Sequence, residues 1–492
     1  MKNKGLSILV AGVLVLSVFV FALMMPPVQA PDGVIDLSND PAFSGYPTIA
    51  VQDNSVFVAW VDDRDGDNDI FIKRSLTNGE FFDAEINVSN TLDNSFDPQL
   101  FVVDNFVFVV WVEDDGVNKE IMYRRSSDSG VTFTPSPLPI ATPQPPINIS
   151  NTPEPSIAPR IAGSSTTLFF VWRDGASLIE EIFLKSFDLS TETLGSVVNV
   201  SNTPAASSIN PRVAFYGGNL YEAWADNKSG NDDIYIRTSG DVGATFTPVL
   251  ASDPRNVSNN GGSSINPEIA LSSDLLGQTA PAGGIIVHLV WHDDDSGNDR
   301  ILYSRSLDNI ATFTAPTPLS LGGVDSLAPK IELAGSFVYV AWRQGTAMPN
   351  ENEISFSRST DQGATFPAPA AVVNISNTPS FDSRHPQLFV LDSNVFVVYR
   401  DNEGGDFEIY LKRSQDFGAT FGVRVPISDN TGISDFGLTA ATNSFHSVYF
   451  TWHDVSPGND EILFLPAVSP LTIEAFMTDS AGNDLNSFDS VI

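Results

Sequence analysis

The chain has 492 residues, 42% of them hydrophobic and 34 of them Phe, which supplies a substantial core and argues against general disorder. It contains no cysteine, so disulfides, thiolate nucleophiles and cysteine zinc sites are excluded. With 25 Lys and Arg against 60 Asp and Glu the formal net charge is −35, a balance that repels nucleic acid and anionic lipid and favours cations.

Residues 1–30 read as an export signal: Lys2 and Lys4, an apolar run from Leu6 to Met24, then Val28-Gln29-Ala30 as a small-residue cleavage pattern. The run approaches the ~20 residues of a membrane span, so a retained anchor, and with it a membrane association, is the alternative. No later stretch is apolar enough to cross a bilayer. The expected location is extracellular or at the cell surface.

From residue 31 to about 470 the chain repeats. All seven tryptophans share one context: "VAWVDD" at Trp60, "VVWVED" at Trp111, "FVWRDG" at Trp172, "EAWADN" at Trp224, "LVWHDD" at Trp291, "VAWRQG" at Trp342 and "FTWHDV" at Trp452. "VVYRDN" at Tyr399 fills the one gap, giving eight units at spacings of 51 to 67 residues. Upstream of each aromatic stands Pro-x-aliphatic, at Pro47, Pro98, Pro159, Pro211, Pro267, Pro329 and Pro386, with Gly437 in the last unit. Downstream come an acidic turn, a short β-branched or aromatic run such as "NDIFIKRS", and then "INVSNT" or a close variant. Short β-prone runs punctuated by Gly, Asn, Asp and Pro predict four strands per unit, A to D, and no helix after the export segment. Eight four-stranded units predict one all-β propeller of eight blades, or seven if the last unit does not close. Residues 471–492 are a polar tail to which no function is assigned.

Between strands C and D four units write Ser-x-Asp-x-Gly-x-Thr-Phe: "SSDSGVTF" with Asp128, "SGDVGATF" with Asp241, "STDQGATF" with Asp361 and "SQDFGATF" with Asp416. "SLDNIATF" keeps Asp308 but replaces Gly by Ile310. On this phrase the chain resembles the Asp-box (BNR-repeat) propellers of the sialidase-like superfamily. The resemblance implies that the phrase is a structural turn away from any active site. Turn chemistry agrees, since Asp accepts bonds from the turn's own N–H groups and Gly takes a conformation other residues resist. "GVIDLSND" at 33–40 matches strand D without its A to C, whereas the eighth unit lacks a clear D. The N-terminal strand is therefore expected to complete the last blade, with "LTIEAF" at 471–476 as the competitor.

The resemblance places ligands on the face formed by the D–A and B–C connections. Two rows of residues are expected there. Asp62, Glu113, Asp174, Asp226, Asp293, Gln344, Asp401 and Asp454 lie two after the marker aromatic. Asp69, Glu120, Glu181, Asp233, Arg300, Glu353, Glu408 and Glu461 open strand C. The loop "DRDGDND" sets Asp63, Asp65, Asp67 and Asp69 at alternate positions, a hard-oxygen spacing suited to Ca²⁺, and "HDDDSGND" with Asp293 and Asp295 is similar. No cofactor is otherwise indicated. A solvated acidic rim explains the same residues. Sialidase chemistry, as the resemblance implies it, needs an arginine cluster. Arg160, Arg212 and Lys330, each directly after the repeated proline, are the nuclei available for a ligand-binding site. Asn87, Asn148, Asn199, Asn227, Asn256 and Asn374 stand in sequons, open to glycans in an exported protein or serving the turn into strand A. The reading that results is an exported, non-catalytic scaffold binding an extracellular glycan or surface protein, with a sialidase-type glycoside hydrolase as the alternative.

Overall fold

The computed structural model describes residues 33–468 apart from 136–143, 176–178, 248–253, 279–283, 347, 349–350, 429–432, 443–446 and 457–458. The export segment, the segment 471–476 and the tail lie outside the described residues. Eight antiparallel four-stranded sheets succeed one another along the chain, in the strand order A-B-C-D. Apart from one 3₁₀ turn at Pro369–Ala371, the described elements are strands. Strands A are Ser44–Gln52, Asn94–Val103, Ser156–Gly163, Ser208–Tyr216, Ser264–Ser273, Ser326–Ala334, Ser383–Leu391 and Ile433–Thr442 in blades 1 to 8. Each touches strand A of both neighbouring blades, blade 8 reaching blade 1, so they ring a central channel.

Closure uses the N-terminal strand. Ile35–Asp36 lies beside Asn459–Val468, pairing Ile35 with Phe464 and Asp36 with Leu463, and completes blade 8. This removes the sheet edge that strand C of that blade would otherwise expose.

Strand B is covered on both faces, which is why it reads as a near-continuous run of Val, Phe, Ala and Trp rather than an alternation. Every marker Trp is fully buried. Each packs against the blade before it: Trp111 joins Phe57, Ile70 and Ile72 of blade 1, and Trp60 joins Tyr449, Ile462 and Phe464 of blade 8.

The repeated proline has a local cause. All eight strands A slip register against strand B at the proline segment, between Gly45 and Thr48 in blade 1 for example. Proline fits such a bulge because no ladder partner needs its missing N–H. The residue before it is left-handed in seven blades: Tyr46, Asp97, Ala158, Asn210, Asn266, Ala328 and His385 have φ between 50° and 55°. Side chains other than glycine resist that region, so the bulge is a strained corner imposed seven times.

Candidate functional site in the central channel

The two carboxylate rows do not form an open ring. The acids of the first row are buried, each at the end of strand B, where the carboxylate accepts from the Ser that opens strand A. Ser44 donates to Asp62 at 2.9 Å, Ser95 to Glu113 at 2.7 Å, Ser208 to Asp226 at 2.8 Å and Ser434 to Asp454 at 2.8 Å. In blades 1 and 2 the marker indole N–H donates to the same carboxylate, at 2.9 and 2.7 Å. The second row accepts from the Ser of the "N-[VI]-S" segment, as Ser89 to Asp69 at 2.6 Å and Ser258 to Asp233 at 2.7 Å. That hydroxyl in turn accepts the N–H that follows the acid, from Ile70, Ile121, Ile182, Ile234, Ile354 and Ile409 at 2.8–2.9 Å. These charges tie strands together instead of facing solvent.

The aspartates of the proposed calcium loop are drawn into the same network. Asp63 accepts the Phe43 N–H at 2.8 Å, Asp65 and Asp69 accept from Asn87 at 3.2 and 2.7 Å, and Asp293 accepts from Asn260 at 2.6 Å and from the Asp295 N–H at 3.0 Å. Asp67 is half-buried in the same loop. Among the described residues no three His, Asp or Glu side chains are grouped to hold a metal ion. The sequon asparagines make turns: Asn87, Asn148, Asn199, Asn256 and Asn374 accept the N–H three residues on at 2.7–2.9 Å, and Asn227 accepts the Ser207 N–H at 2.9 Å.

The phrase is a closed turn between strands C and D. In blade 2 Ser126 Oγ donates to Asp128 at 2.7 Å and accepts the Gly130 N–H at 2.8 Å, while Asp128 accepts the Thr132 N–H at 2.9 Å and its hydroxyl at 2.6 Å. Asp241, Asp308, Asp361 and Asp416 repeat the pattern. Hydrogen bonds from Thr245 and Ser239 hold the Asp241 carboxyl down to about 2. The end of strand C reaches forward to the next turn, as Arg74 does to the Ser129 carbonyl at 2.7 Å and Arg305 to the Gln362 carbonyl at 2.6 Å. Residues 275–278, which follow strand A of blade 5 at the phrase end of the disc, lean on the blade 6 turn, with Leu275 and Leu276 N–H donating to Gln362 at 3.1 and 3.0 Å.

The structure does bring Arg160, Arg212 and Lys330 together. Just beyond the bulge, strand A turns the residue after proline into the channel from blades 3, 4 and 6. Glu268, at the same position in blade 5, joins two of them: Arg212 grips it in a fork at 3.0 and 3.2 Å, and Lys330 reaches it at 2.9 Å. Side-chain exposures of 22% for Arg212, 18% for Glu268 and 33% for Lys330 show a wet site inside the ring. Burial pushes the Glu268 carboxyl up, but Lys330 and Arg212 outweigh it and hold it at about 2. Arg160 donates only to its own Pro159 carbonyl, at 2.7 Å, and has no ion pair among the described residues. Burial and the like charge of Arg212 lower its pKa. Glu332, one tier further along strand A of blade 6, is pushed up to about 7, by burial first and then by Glu268. The site is thus three cations around the ionised Glu268, with Glu332 poised near neutrality and Asp97, its carboxyl raised by burial, near Arg160 and Arg212. Glu268, Glu332 and Asp97 were the members missed in the sequence. Glu268 was visible there as the one acid in the post-proline series.

A second cationic group was also missed. Arg343 follows the marker Trp of blade 6 and Arg384 lies in strand A of blade 7, opposite Arg400. Arg384 and Arg400 place their guanidinium groups over Phe407, 5.7 and 4.5 Å from the ring centre.

No family model and no curated protein matches the chain. Among solved structures the fold is similar to that of the polysaccharide lyase Uly1, with a TM-score of 0.48 and 11% identity over 86% of this chain and 90% of that one. It is also similar to a PL25 polysaccharide lyase, an ulvan lyase, at 0.43 and 12% over 87% and 94%. The NanB sialidase of Streptococcus pneumoniae gives 0.34 and 9% over 91% and 71%. Likeness at this level is one of fold alone.

Proposed function

We propose that this chain is an exported, non-catalytic Asp-box propeller of the sialidase-like kind, acting as a scaffold that binds an extracellular glycan or surface protein through an acidic group. The observation that carries the reading is Arg160, Arg212 and Lys330 gathered in the channel of a protein with net charge −35. A cationic focus inside an acidic disc draws anions inward and repels them elsewhere. Arg212 and Lys330 are already half-neutralised by Glu268, and Arg160, near Asp97 but without an ion pair among the described residues, is the cation left to take a ligand carboxylate or sulfate in a fork. The repeated positions serve the scaffold, and recognition falls to the positions that differ between blades. A glycan array carrying sialylated, uronate, sulfated and neutral glycans tests this, with binding expected for acidic members and lost in Arg160→Ala. Binding confined to neutral glycans would sink it. The alternative, a sialidase-type hydrolase, draws on Glu332, whose carboxyl near neutrality suits an acid/base. Turnover of a fluorogenic sialoside that is abolished by Arg212→Ala would decide for it.

A further inference from the structure

We propose that a cavity between blades 5, 6 and 7 on the D–A/B–C face is a second binding site, for the oxyanion of a sugar-sized ligand held by Arg343 and Arg384. The cavity has a volume of about 490 Å³, and its lining sets both arginines beside the carboxylates of Asp325 and Glu351, with Asn298 and Met348 among the rest. That volume is within the roughly 300–1,000 Å³ range of small-molecule sites, and the wall is mainly polar.

The repeat makes the charge here unusual. In the first carboxylate row the one non-acid is Gln344, and in the second it is Arg300. These departures sit in adjacent blades and border this cavity: Gln344 lies between Arg343 and Gly345 in the chain, and Arg300 packs near Gly322, beside the lining residue Gly323. Blade 6 loses scaffold bonding through the exchange. Gln344 still accepts from the Trp342 indole at 3.1 Å, but Ser326, whose counterparts donate to the carboxylate, has no hydrogen-bond partner for its buried hydroxyl. An interaction made in blades 1 to 5, 7 and 8 is given up where it would add a further carboxylate to those of Asp325 and Asp382 beside Arg343.

The cations are only partly compensated. Arg343 lies within electrostatic reach of Asp382, Asp325 and Asp299, but its side chain makes no hydrogen bond or ion pair among the described residues. Arg384 meets Asp382 at 2.6 Å, yet its Nε is buried without a partner. Burial, and after it the charge of Arg384, lowers the pKa of both Arg343 and Arg400, the latter to about 10. His385 beside them is held at about 4, so it is neutral at pH 7. An oxyanion between Arg343 and Arg384 would offset this repulsion and use the planar donor fork of a guanidinium. Carboxylate and sulfate ester share that chemistry.

Isothermal titration of the full chain at fixed ionic strength with glucuronate, glucose 6-sulfate and glucose tests the proposal. At least one anionic sugar is expected to bind saturably and glucose is not; which anion binds identifies the group. Arg343→Ala should weaken binding about tenfold or more. Gln344→Asp should weaken it as strongly while keeping or raising the thermal midpoint, because Ser326 regains an acceptor. Arg160→Ala in the channel should leave it unchanged, so this site and the channel reading fail separately. Absence of saturable binding by either anion, equal binding of glucose, or full binding in both Arg343→Ala and Gln344→Asp would overturn the proposal.

Discussion

A single side chain in blade 4 breaks the apolar pattern of strand B. Glu222 is fully buried, two residues before Trp224, where the other blades place Val58, Val109, Phe170, Leu289, Val340, Val397 and Phe450. Neither of its oxygens has a hydrogen-bond partner, and burial holds its carboxyl well above the usual range despite Arg237 opposite. Cations at the position of Arg237 pair with apolar residues elsewhere: Lys73 with Val58, Arg124 with Val109 and Lys185 with Phe170. All four donate to a carbonyl just past strand D of the preceding blade, at Leu37, Ser89, Ile149 and Val200. Glu222→Leu is therefore expected to stabilise the fold by roughly 1–3 kcal/mol at pH 7, read from denaturant unfolding. A carboxyl raised in the folded state favours folding at low pH and costs stability as pH rises above its ordinary value. The advantage of the variant should accordingly grow between pH 4.5 and 8, and a constant difference would contradict the assignment.

At the scale of the element, the turn phrase explains which glycine matters. A Cβ on Gly363, at φ +77°, would stand 1.8 Å from Tyr303 Oη of the preceding blade, and one on Gly243 would stand 2.9 Å from Leu184. Gly66 has φ +104° with nothing within 4 Å of a Cβ. Gly363→Ala should lower stability by about 2–4 kcal/mol, combining strain with displaced packing, and Gly66→Ala by only about 1 kcal/mol. Equal melting temperatures for the two variants would show that the turn does not dock on its neighbour. Ile310 fits the same account: it holds φ 63° in a glycine position and is buried among residues that include Tyr221 and Ile236 of blade 4.

The turn, the proline and the marker aromatic were legible in the sequence because four, seven and eight copies respectively average out local ambiguity. The rows of carboxylates were legible as a pattern but were placed on the surface. The missing clue was the Ser that opens strand A, 18 residues before its acid in blades 1, 2, 3, 4 and 7, since a paired Ser and acid read as an internal tie. The channel arginines could be named from their register after proline. Arg343 and Arg384 could not, because their meeting depends on which blade edges abut, and only the exchange of Asp for Gln344 marked the spot.

For the whole molecule the governing quantity is an acidic disc with cations at its centre. Glu332 faces Glu268 and Lys330 in that centre, with Arg212, Arg160 and Asp97 around them. With its carboxyl at about 7, lowering the pH from 8 to 6 removes a negative charge from the channel. Binding of an anionic glycan there is expected to tighten several-fold over that interval. Glu332→Gln should bind as the parent does at pH 6 and show a flat profile. A parent profile that is already flat would place the ligand elsewhere.

The shared blade also orders events in time. Ile35–Asp36 is made first by a ribosome, and its partner Asn459–Val468 follows only after some 420 residues of intervening chain. Seven blades can collapse one after another from local hairpins while that first strand waits unpaired, so the slowest step is the long loop closure that seals the ring. A circular permutant that joins Val468 to Gly33 through a short linker and is cut between Asn90 and Asp93 would carry all four strands of blade 8 within one continuous stretch. Its last-formed blade would be blade 1. Faster appearance of the closed ring in that permutant, with an unchanged unfolding rate, is the signature that the seam is sealed late.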